Sequence, residues 1–127
     1  MKQGTLHRSI QGKEYVYNDR VDCRTNNVIY GIFCEKCDAI IYVGETGTSI
    51  YERFQNHISS VRNQKQEPIP MHFTSDGHSL KHFRIIGIER LRRRDIHFRK
   101  IREKFWIKKL GTIQPYGLNQ NLGVGSE

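Results

Sequence analysis

The chain has 127 residues, a length that suits one domain with a single hydrophobic core. Its 36% hydrophobic and 27% charged residues exclude a compositionally disordered protein. No apolar stretch approaches the ~20 residues that cross a bilayer, and no early apolar run is typical of a signal peptide. We therefore expect an intracellular protein without a membrane partner. The odd number of cysteines, three, fits a reducing compartment.

The net charge of +8 is concentrated in one segment. Residues 81–109 contain 12 of the 21 Lys and Arg side chains but three of the 13 Asp and Glu side chains. A concentrated basic surface favours a polyanionic partner, most commonly nucleic acid. The alternative is a solvated basic helix without a partner.

The chain begins with polar residues that lack periodicity, so we expect a flexible tail over residues 1–14 and a single domain over residues 15–127. Residues 15–17 predict a short edge strand. Residues 28–33 and 39–43 are rich in β-branched and aromatic side chains and are joined by a short polar turn. This pattern predicts a β-hairpin.

A helix is predicted to begin after Ser49, because Ser49 and Glu52 have the spacing of a capping box. Gly47 belongs to the loop expected before it. One apolar face follows at helical spacing: Ile50, Phe54, Ile58 and Val61. Residues 63–70 are expected to end this helix, and residues 72–82 to be irregular.

A third strand is predicted over residues 83–91, followed by a long helix that Asp95 caps and Gly111 ends. The apolar stripe predicted for this helix is Phe98, Ile101, Phe105 and Trp106. The order hairpin, helix, loop, strand, helix predicts an α/β fold of the α+β type, with a small three-stranded, mainly antiparallel sheet flanked by helices.

Several polar residues are candidates for chemistry. Tyr30 and Tyr42 lie on the two hairpin strands, where two phenols can share one site or simply pack. Arg53 and His57 are spaced i, i+4, so they either bind an anion together or are ordinary surface residues. Glu103 is the lone carboxylate in a strongly basic stretch of the long helix. Such a carboxylate is either a helix ion-pairing residue or a ligand for Mg²⁺.

Two motifs, Val28-Ile29-Tyr30 and Tyr42-Val43-Gly44, resemble the two signatures of the GIY-YIG nucleases. The first motif has valine where the family has glycine, which leaves the tyrosine in place. The later residues follow in the family's order: Arg53, His57, the run Glu103-Lys104-Phe105-Trp106-Ile107, and Asn119.

The resemblance implies metal-dependent hydrolysis of a DNA phosphodiester, with Mg²⁺ or Mn²⁺ held by Glu103 and the scissile phosphate bound by Arg53. A tyrosine, with Tyr30 the first choice, is implied to accept a proton from the attacking water or to orient it. Because a phenol has a pKa near 10, we expect Arg53, a protonated His57 or the metal to lower it. The implied catalytic residues are Tyr30, Tyr42, Arg53, His57, Glu103 and Asn119.

The DNA-binding residues that we expect are Gly44, in the loop before the first helix, and a set of basic side chains. These basic residues are Arg92, Arg93, Arg94, Arg99 and Lys100.

A subgroup is also indicated. The chain is similar to the endonuclease domain of Penelope-like retroelements in Asp22-Cys23, Cys34-x-x-Cys37, His72-Phe73, Gly77-His78 and the segment 112–119. In those elements the nuclease follows a reverse transcriptase and nicks the target DNA. The similarity implies the same role, a reverse transcriptase as partner, and a nuclear location in a eukaryotic host.

The cysteines of the predicted hairpin turn suggest a structural zinc site. If the third strand runs antiparallel to the first, its start lies near Cys34, and residues 72–82 lead directly into it. The sequence therefore predicts a Cys₂His₂ set, with Cys23 or His82 as a substitute for either histidine. The predicted ligands are Cys34, Cys37, His72 and His78. Free thiols are the alternative.

A second function class stays open at this point, a non-catalytic, zinc-stapled basic module that binds nucleic acid. The position of Glu103 favours the enzyme, because a module that only binds DNA has no need for a carboxylate within a cationic helix.

Overall fold

The computed structural model describes residues 5–8, 14–17 and 21–121. The elements in chain order are β1 (Thr5–Arg8), β2 (Glu14–Tyr17), β3 (Asn26–Cys34), β4 (Ala39–Ser49), α1 (Ile50–Arg62), α2 (Pro68–Phe73), β5 (Phe83–Arg90) and α3 (Ile96–Leu110). A short 3-10 turn, Leu80–His82, leads into β5. Among these helices, none combines the length and the apolar character that crossing a membrane requires.

The centre of the fold is an antiparallel sheet with the strand order β4-β3-β5. This arrangement confirms the predicted α+β fold with a three-stranded sheet. β3 is buried along almost its whole length, because a helical layer covers each face of the sheet. On one face, Ile107 of α3 belongs to the same core cluster as Ile29. On the other face, Phe73 of α2 and Val61 of α1 share a cluster with Ile32.

The N-terminal segment differs from the prediction. Residues 5–8, within the predicted tail, form β1 and pair antiparallel with β2, which corresponds to the predicted edge strand. A four-residue polar strand has no apolar alternation for a pattern to detect. Residues 1–4, 9–13, 18–20 and 122–127 lie outside the described part of the chain, so the proposed domain limits stay a prediction.

α1 begins where the sequence predicts. The Oγ of Ser49 accepts a hydrogen bond from the backbone N–H of Glu52 at 3.1 Å. The Glu52 carboxylate accepts one from the Ser49 N–H at 3.3 Å. The strand before it is longer than expected, because β4 continues through Gly44 and Gly47, which were placed in a loop. Both glycines have side chains packed over them, as described below.

α2 was missed, because its two prolines are typical of a chain break. Pro68 stands in the first turn of α2, where a missing N–H costs no intrahelical hydrogen bond. His72 is therefore on a helix, whereas the sequence predicted an irregular segment there.

The face that α3 buries also differs from the prediction. Ile101 is 60% exposed and Phe105 is 43% exposed, although both were assigned to the buried stripe. The helix instead buries Glu103, Ile107 and Leu110, while Phe98 and Trp106 are partly buried. The apolar pattern was misleading because one position of the inward face is a carboxylate.

Candidate active site and metal cluster

A cavity of about 400 Å³ opens between α1, α2, α3 and the C-terminal segment. Five of the six predicted catalytic residues line it: Tyr42, Arg53, His57, Glu103 and Asn119. Residues separated by up to 77 positions therefore meet at one place. The lining also includes Asn56, Ser60, Glu67–Pro70, Lys100, Leu118, Gln120 and Asn121.

Tyr30, the sixth residue, lies behind the cavity wall and is 2% exposed. Its phenol oxygen is 2.8 Å from Nε2 of His57, which does line the cavity. Gly44 makes room for this phenol, since a Cβ at Gly44 would lie only 2.5 Å from the Tyr30 oxygen. The observed role of Gly44 is thus to accommodate Tyr30 within the sheet, and the predicted phosphate-binding loop at this position does not exist.

Tyr42 is the phenol that reaches the cavity. Its ring centroid lies 6.5 Å from that of Tyr30 and 6.2 Å from that of His57, so the two tyrosines do share one face of the hairpin. Burial raises the pKa of Tyr42 to about 12. Burial, followed by the nearby Tyr42, also raises the pKa of Tyr30 well above its usual value. Both phenols are neutral at physiological pH.

His57 does not carry the charge that we expected. Burial, reinforced by the adjacent Arg53 guanidinium, lowers the pKa of His57 to about 4. The imidazole is therefore neutral at pH 7 and cannot lower the phenol pKa in the absence of ligand. A neutral imidazole can instead accept the proton of the Tyr30 hydroxyl.

Arg53 and Glu103 each contain a buried polar atom that has no hydrogen-bond partner in the described part of the chain. These atoms are Nε of Arg53 and Oε1 of Glu103. An unpaired buried polar atom is costly and is typical of a site that waits for a ligand or ion. Here the two atoms have complementary preferences, one for an anion and the other for a cation.

Glu103 sits in a partly charged environment. Its Oε1 is 3.8 Å from Nζ of Lys100, beyond hydrogen-bonding distance. Burial raises the pKa of Glu103 to about 7, against the opposing effect of Lys100. The carboxylate thus lacks a strong partner within the described residues.

Asn119 holds the cavity wall together. Its side-chain oxygen accepts hydrogen bonds from the Val43 N–H at 2.9 Å and from the Thr112 hydroxyl at 2.7 Å. Its amide group donates to the Val43 carbonyl at 2.9 Å. These bonds tie the C-terminal segment to β4 beside Tyr42, so the structure gives Asn119 a supporting position.

The predicted DNA-binding residues separate into two groups. Arg99 is partly buried, and its guanidinium donates to Glu45 at 2.8 Å and to the Asn27 side chain at 3.0 Å, so its role in DNA binding stays a prediction. Lys100 faces the cavity but is paired with Glu45 at 3.3 Å. Sequence patterns did not indicate these partners, because Glu45 lies in β4, where we expected a loop.

The exposed group follows β5. Arg92, Arg93 and Arg94 are all exposed in the turn before α3, and Arg93 pairs with Asp95 at 3.2 Å. Arg92 and Arg94 line a second hollow of about 420 Å³ together with Arg24, Arg90, Asp22, Leu91 and residues 25–27. The sequence did not single out Arg24 and Arg90, which the fold brings to this basic hollow.

The four predicted zinc ligands also come together. The ligand atoms of Cys34, Cys37, His72 and His78 all lie within 4.8 Å of one another. The Cys37 sulfur is 3.5 Å from Nε2 of His78 and 3.7 Å from Nε2 of His72. Tetrahedral zinc requires about 3.3–3.8 Å between such atoms. As predicted, Cys34 at the end of β3 pairs with Phe83 at the start of β5.

The substitute ligands stay outside this cluster. Cys23 is exposed before the start of β3, and Nδ1 of His82 accepts a hydrogen bond from the Ser79 N–H. In the absence of metal, burial and the neighbouring Cys34 raise the pKa of Cys37 to about 11. Burial, with a smaller effect from His78, lowers the pKa of His72 to about 4, which leaves a neutral imidazole.

Comparison with known proteins identifies one relationship. The model of the GIY-YIG catalytic domain family matches residues 26–117, which include both hairpin motifs, α1 and α3. Curated proteins and solved structures yield no match.

Proposed function

Because the chain belongs to the GIY-YIG family, whose catalytic domains are nucleases, we propose that it is a metal-dependent DNA endonuclease. The observation that carries the proposal concerns two residues that line one cavity, Arg53 and Glu103. Each has a buried side-chain atom, Nε and Oε1 respectively, without a hydrogen-bond partner among the described residues. A phosphodiester with a divalent cation would offer each residue a partner of the charge that it prefers.

Glu103 fits the role of metal ligand, because Mg²⁺ and Mn²⁺ bind carboxylate oxygens and Oε1 has no hydrogen-bond partner among the described residues. The rest of the lining leaves room for water and substrate phosphate. A bound divalent ion would stabilise the negative charge that develops on the phosphate and the leaving oxygen.

Arg53 binds the scissile phosphate in this proposal. Its guanidinium projects from α1 into the cavity, and charge-assisted hydrogen bonds from arginine to phosphate are strong and directional. The helix start fixed by Ser49 and Glu52 holds this side chain in place.

Tyr30 and His57 handle the proton. As the water oxygen bonds to phosphorus, the bond from phosphorus to the leaving oxygen breaks, and the leaving oxygen takes a proton from solvent. The proton of the attacking water passes to the Tyr30 oxygen, just behind the cavity wall beside His57, while the Tyr30 hydroxyl proton passes to Nε2 of His57. The 2.8 Å contact provides the path, and the neutral imidazole provides the acceptor. Tyr42, at the cavity surface, orients the water or the phosphate.

DNA contact extends to the basic hollow. Arg92 and Arg94 were predicted to bind DNA, and their neighbours Arg24 and Arg90 widen the basic surface. Guanidinium groups on several segments can neutralise successive backbone phosphates.

We further propose that the Cys₂His₂ cluster binds structural zinc. Two thiolates and two imidazoles form a closed tetrahedral set without an open position for substrate. Zinc would connect the β3–β4 turn to α2 and to the loop before β5.

A role in nicking target DNA for a Penelope-like retroelement, together with a reverse transcriptase in the nucleus, is the finer proposal. It rests on the Cys and His residues and on the C-terminal motif in the sequence.

The test of the proposed function is incubation of supercoiled plasmid with the zinc-loaded protein, with and without Mg²⁺. We expect nicked circles that depend on Mg²⁺, and linear product only later. Omission of Mg²⁺ by dialysis is preferable to EDTA, which also removes zinc. A Glu103→Gln preparation, purified in parallel, controls for contaminating nucleases. Retarded but intact plasmid under all conditions would instead indicate the non-catalytic binding module.

A further inference from the structure

Glu45 is a partly buried carboxylate that bonds to two consecutive cations of α3. Its Oε1 accepts a hydrogen bond from Nε of Arg99 at 2.8 Å, and its Oε2 lies 3.3 Å from Nζ of Lys100. The Glu45 side chain is 12% exposed. Each carboxylate oxygen therefore has its own cationic partner.

Arg99 fixes the position of Glu45. Beyond the bond to Glu45, its Nη1 donates to the Asn27 side chain at 3.0 Å, and Asn27 in turn donates to the carbonyls of Leu91 and Arg93. The guanidinium lies over Gly47, where a Cβ would be only 3.1 Å away. These hydrogen bonds fix Glu45 independently of Lys100, so Glu45 would keep its position if Lys100 moved.

Lys100 is shared between two carboxylates. Its ammonium is 3.3 Å from Glu45 and 3.8 Å from Glu103, and the side chain is 35% exposed. If Glu45 lost its charge, Glu103 would be the nearest remaining carboxylate. The Lys100 ammonium would then move to Glu103 and bond to Oε1, which has no hydrogen-bond partner among the described residues.

We propose that Glu45 is a positioning residue that draws Lys100 away from Glu103 and so keeps Oε1 of Glu103 free for the divalent cation. This inference rests on the proposed function of Glu103 as the metal ligand. Glu45 does not contact the cation; it acts through Lys100.

The test is Mn²⁺ binding to the zinc-loaded protein without DNA, measured by electron paramagnetic resonance of free Mn²⁺. The Glu103→Ala variant defines the part of the binding that depends on Glu103. In Glu45→Gln, the amide oxygen still bonds to Arg99, but the amide N–H group repels the Lys100 ammonium. We expect this part of the binding to weaken about tenfold, as is typical for residues of one ionic network.

The matched control is Glu89→Gln. Glu89 also joins the sheet to an α3 arginine, through a 2.9 Å contact with Arg102, but it contacts neither Lys100 nor Glu103. It should leave Mn²⁺ binding unchanged, although it removes the same kind of ion pair. Equal weakening by both variants would mean that Glu45 merely supports the fold, and would overturn the proposal.

The decisive measurement adds Lys100→Gln in both backgrounds. Transfer of the ammonium predicts that Lys100→Gln strengthens Mn²⁺ binding about tenfold in Glu45→Gln and less than threefold in the wild type. Equal factors in the two backgrounds would overturn the proposal while leaving the Glu103 site intact. If the wild type showed no binding that depends on Glu103, the metal role of Glu103 would fail, and this inference with it.

Discussion

Two parts of the described structure, the active-site cavity and the Cys₂His₂ cluster, are candidate metal sites, and they differ in the chemical type of their ligands. The active-site cavity offers one buried carboxylate with an unpartnered oxygen, together with an arginine. The Cys₂His₂ cluster offers four soft or borderline ligands, all within 4.8 Å of one another. Hard divalent cations prefer the first, and zinc prefers the second. We therefore expect the cavity to hold a catalytic metal with open positions and the cluster to hold a structural metal with none.

The two places also differ in how the chain builds them. Arg53 and Glu103 project from α1 and α3, whose positions the core fixes. Three of the cluster's ligands come instead from the β3–β4 turn and from the segment that runs from α2 to β5. We therefore expect the cavity to tolerate loss of its metal without unfolding, and the cluster to depend on its metal for local structure.

The strongest test of this contrast is Glu103→Gln. The variant keeps the shape of the side chain but removes the negative charge that is proposed to bind the cation. The cation would then no longer stabilise the transition state of phosphodiester hydrolysis. We expect plasmid nicking to fall by about 10³-fold or more, since metal stabilisation of such a charge is typically several kcal/mol. DNA affinity should stay the same or rise, because a negative charge leaves a basic region.

Nicking by Glu103→Gln at a rate near that of the wild type would place the catalytic metal elsewhere. The same protein should retain one zinc per chain and its melting temperature. A loss of zinc in this variant would show that the two metal sites are not independent.

The second-largest expected effect is on the nicking rate, through loss of the proposed proton transfer from Tyr30 to His57. Tyr30→Phe removes the hydroxyl that contacts His57 but keeps the ring, so single-turnover nicking should fall by about 10²-fold. Tyr42→Phe should reduce it less, because Tyr42 has no contact with Nε2 of His57 among the described hydrogen bonds. Melting curves of both variants establish that the rates refer to folded protein. A larger loss in Tyr42→Phe would assign the proton transfer to Tyr42.

The proposed zinc site in the Cys₂His₂ cluster is tested through zinc content and thermal stability. Cys34→Ser and His78→Ala each remove one of four ligands, so both should release zinc and lower the melting temperature by on the order of 10 °C. Cys23→Ser is the matched control, because this exposed thiol lies outside the cluster and should change neither quantity. Elemental analysis and thermal unfolding provide the measurements. A zinc-free wild-type protein would contradict the structural metal.

Much of this arrangement follows from local sequence signals. The capping box at Ser49 gives the start of α1, and hence the position of Arg53 on the cavity wall. The Cys₂His₂ set follows from the close spacing of Cys34 and Cys37 together with the assumption that the third strand runs antiparallel to the first, which the pairing of β3 with β5 confirms. A cap and a short turn are local signals, and sequence patterns capture them.

The features that the sequence concealed depend on tertiary contacts. Gly44 is typical of a loop, yet it lies in β4, where the phenol of Tyr30 leaves no space for a side chain. The buried face of α3 was predicted wrongly, because it includes the carboxylate of Glu103 and therefore does not form a continuous apolar stripe. Arg99 looks like a DNA ligand until its bond to Glu45 is seen. For Gly44 and Arg99 the deciding partner is more than ten residues away along the chain.

The smallest effect that sharpens the contrast is the salt dependence of DNA binding, measured on uncleaved duplex without Mg²⁺. Each phosphate contact contributes about 0.9 to the slope of log affinity against log salt. Arg92→Ala combined with Arg94→Ala should therefore make the slope shallower by about one to two, because both side chains are exposed and line the basic hollow. Lys36→Ala combined with Lys81→Ala removes the same charge from exposed positions near the Cys₂His₂ cluster and should change the slope by much less.

Equal changes in the two double variants would mean that DNA binding depends only on net charge, and the hollow would lose its assigned role. A large change with the lysine pair alone would place the DNA along the cluster side of the sheet, and the zinc site would then lie within the DNA-binding surface.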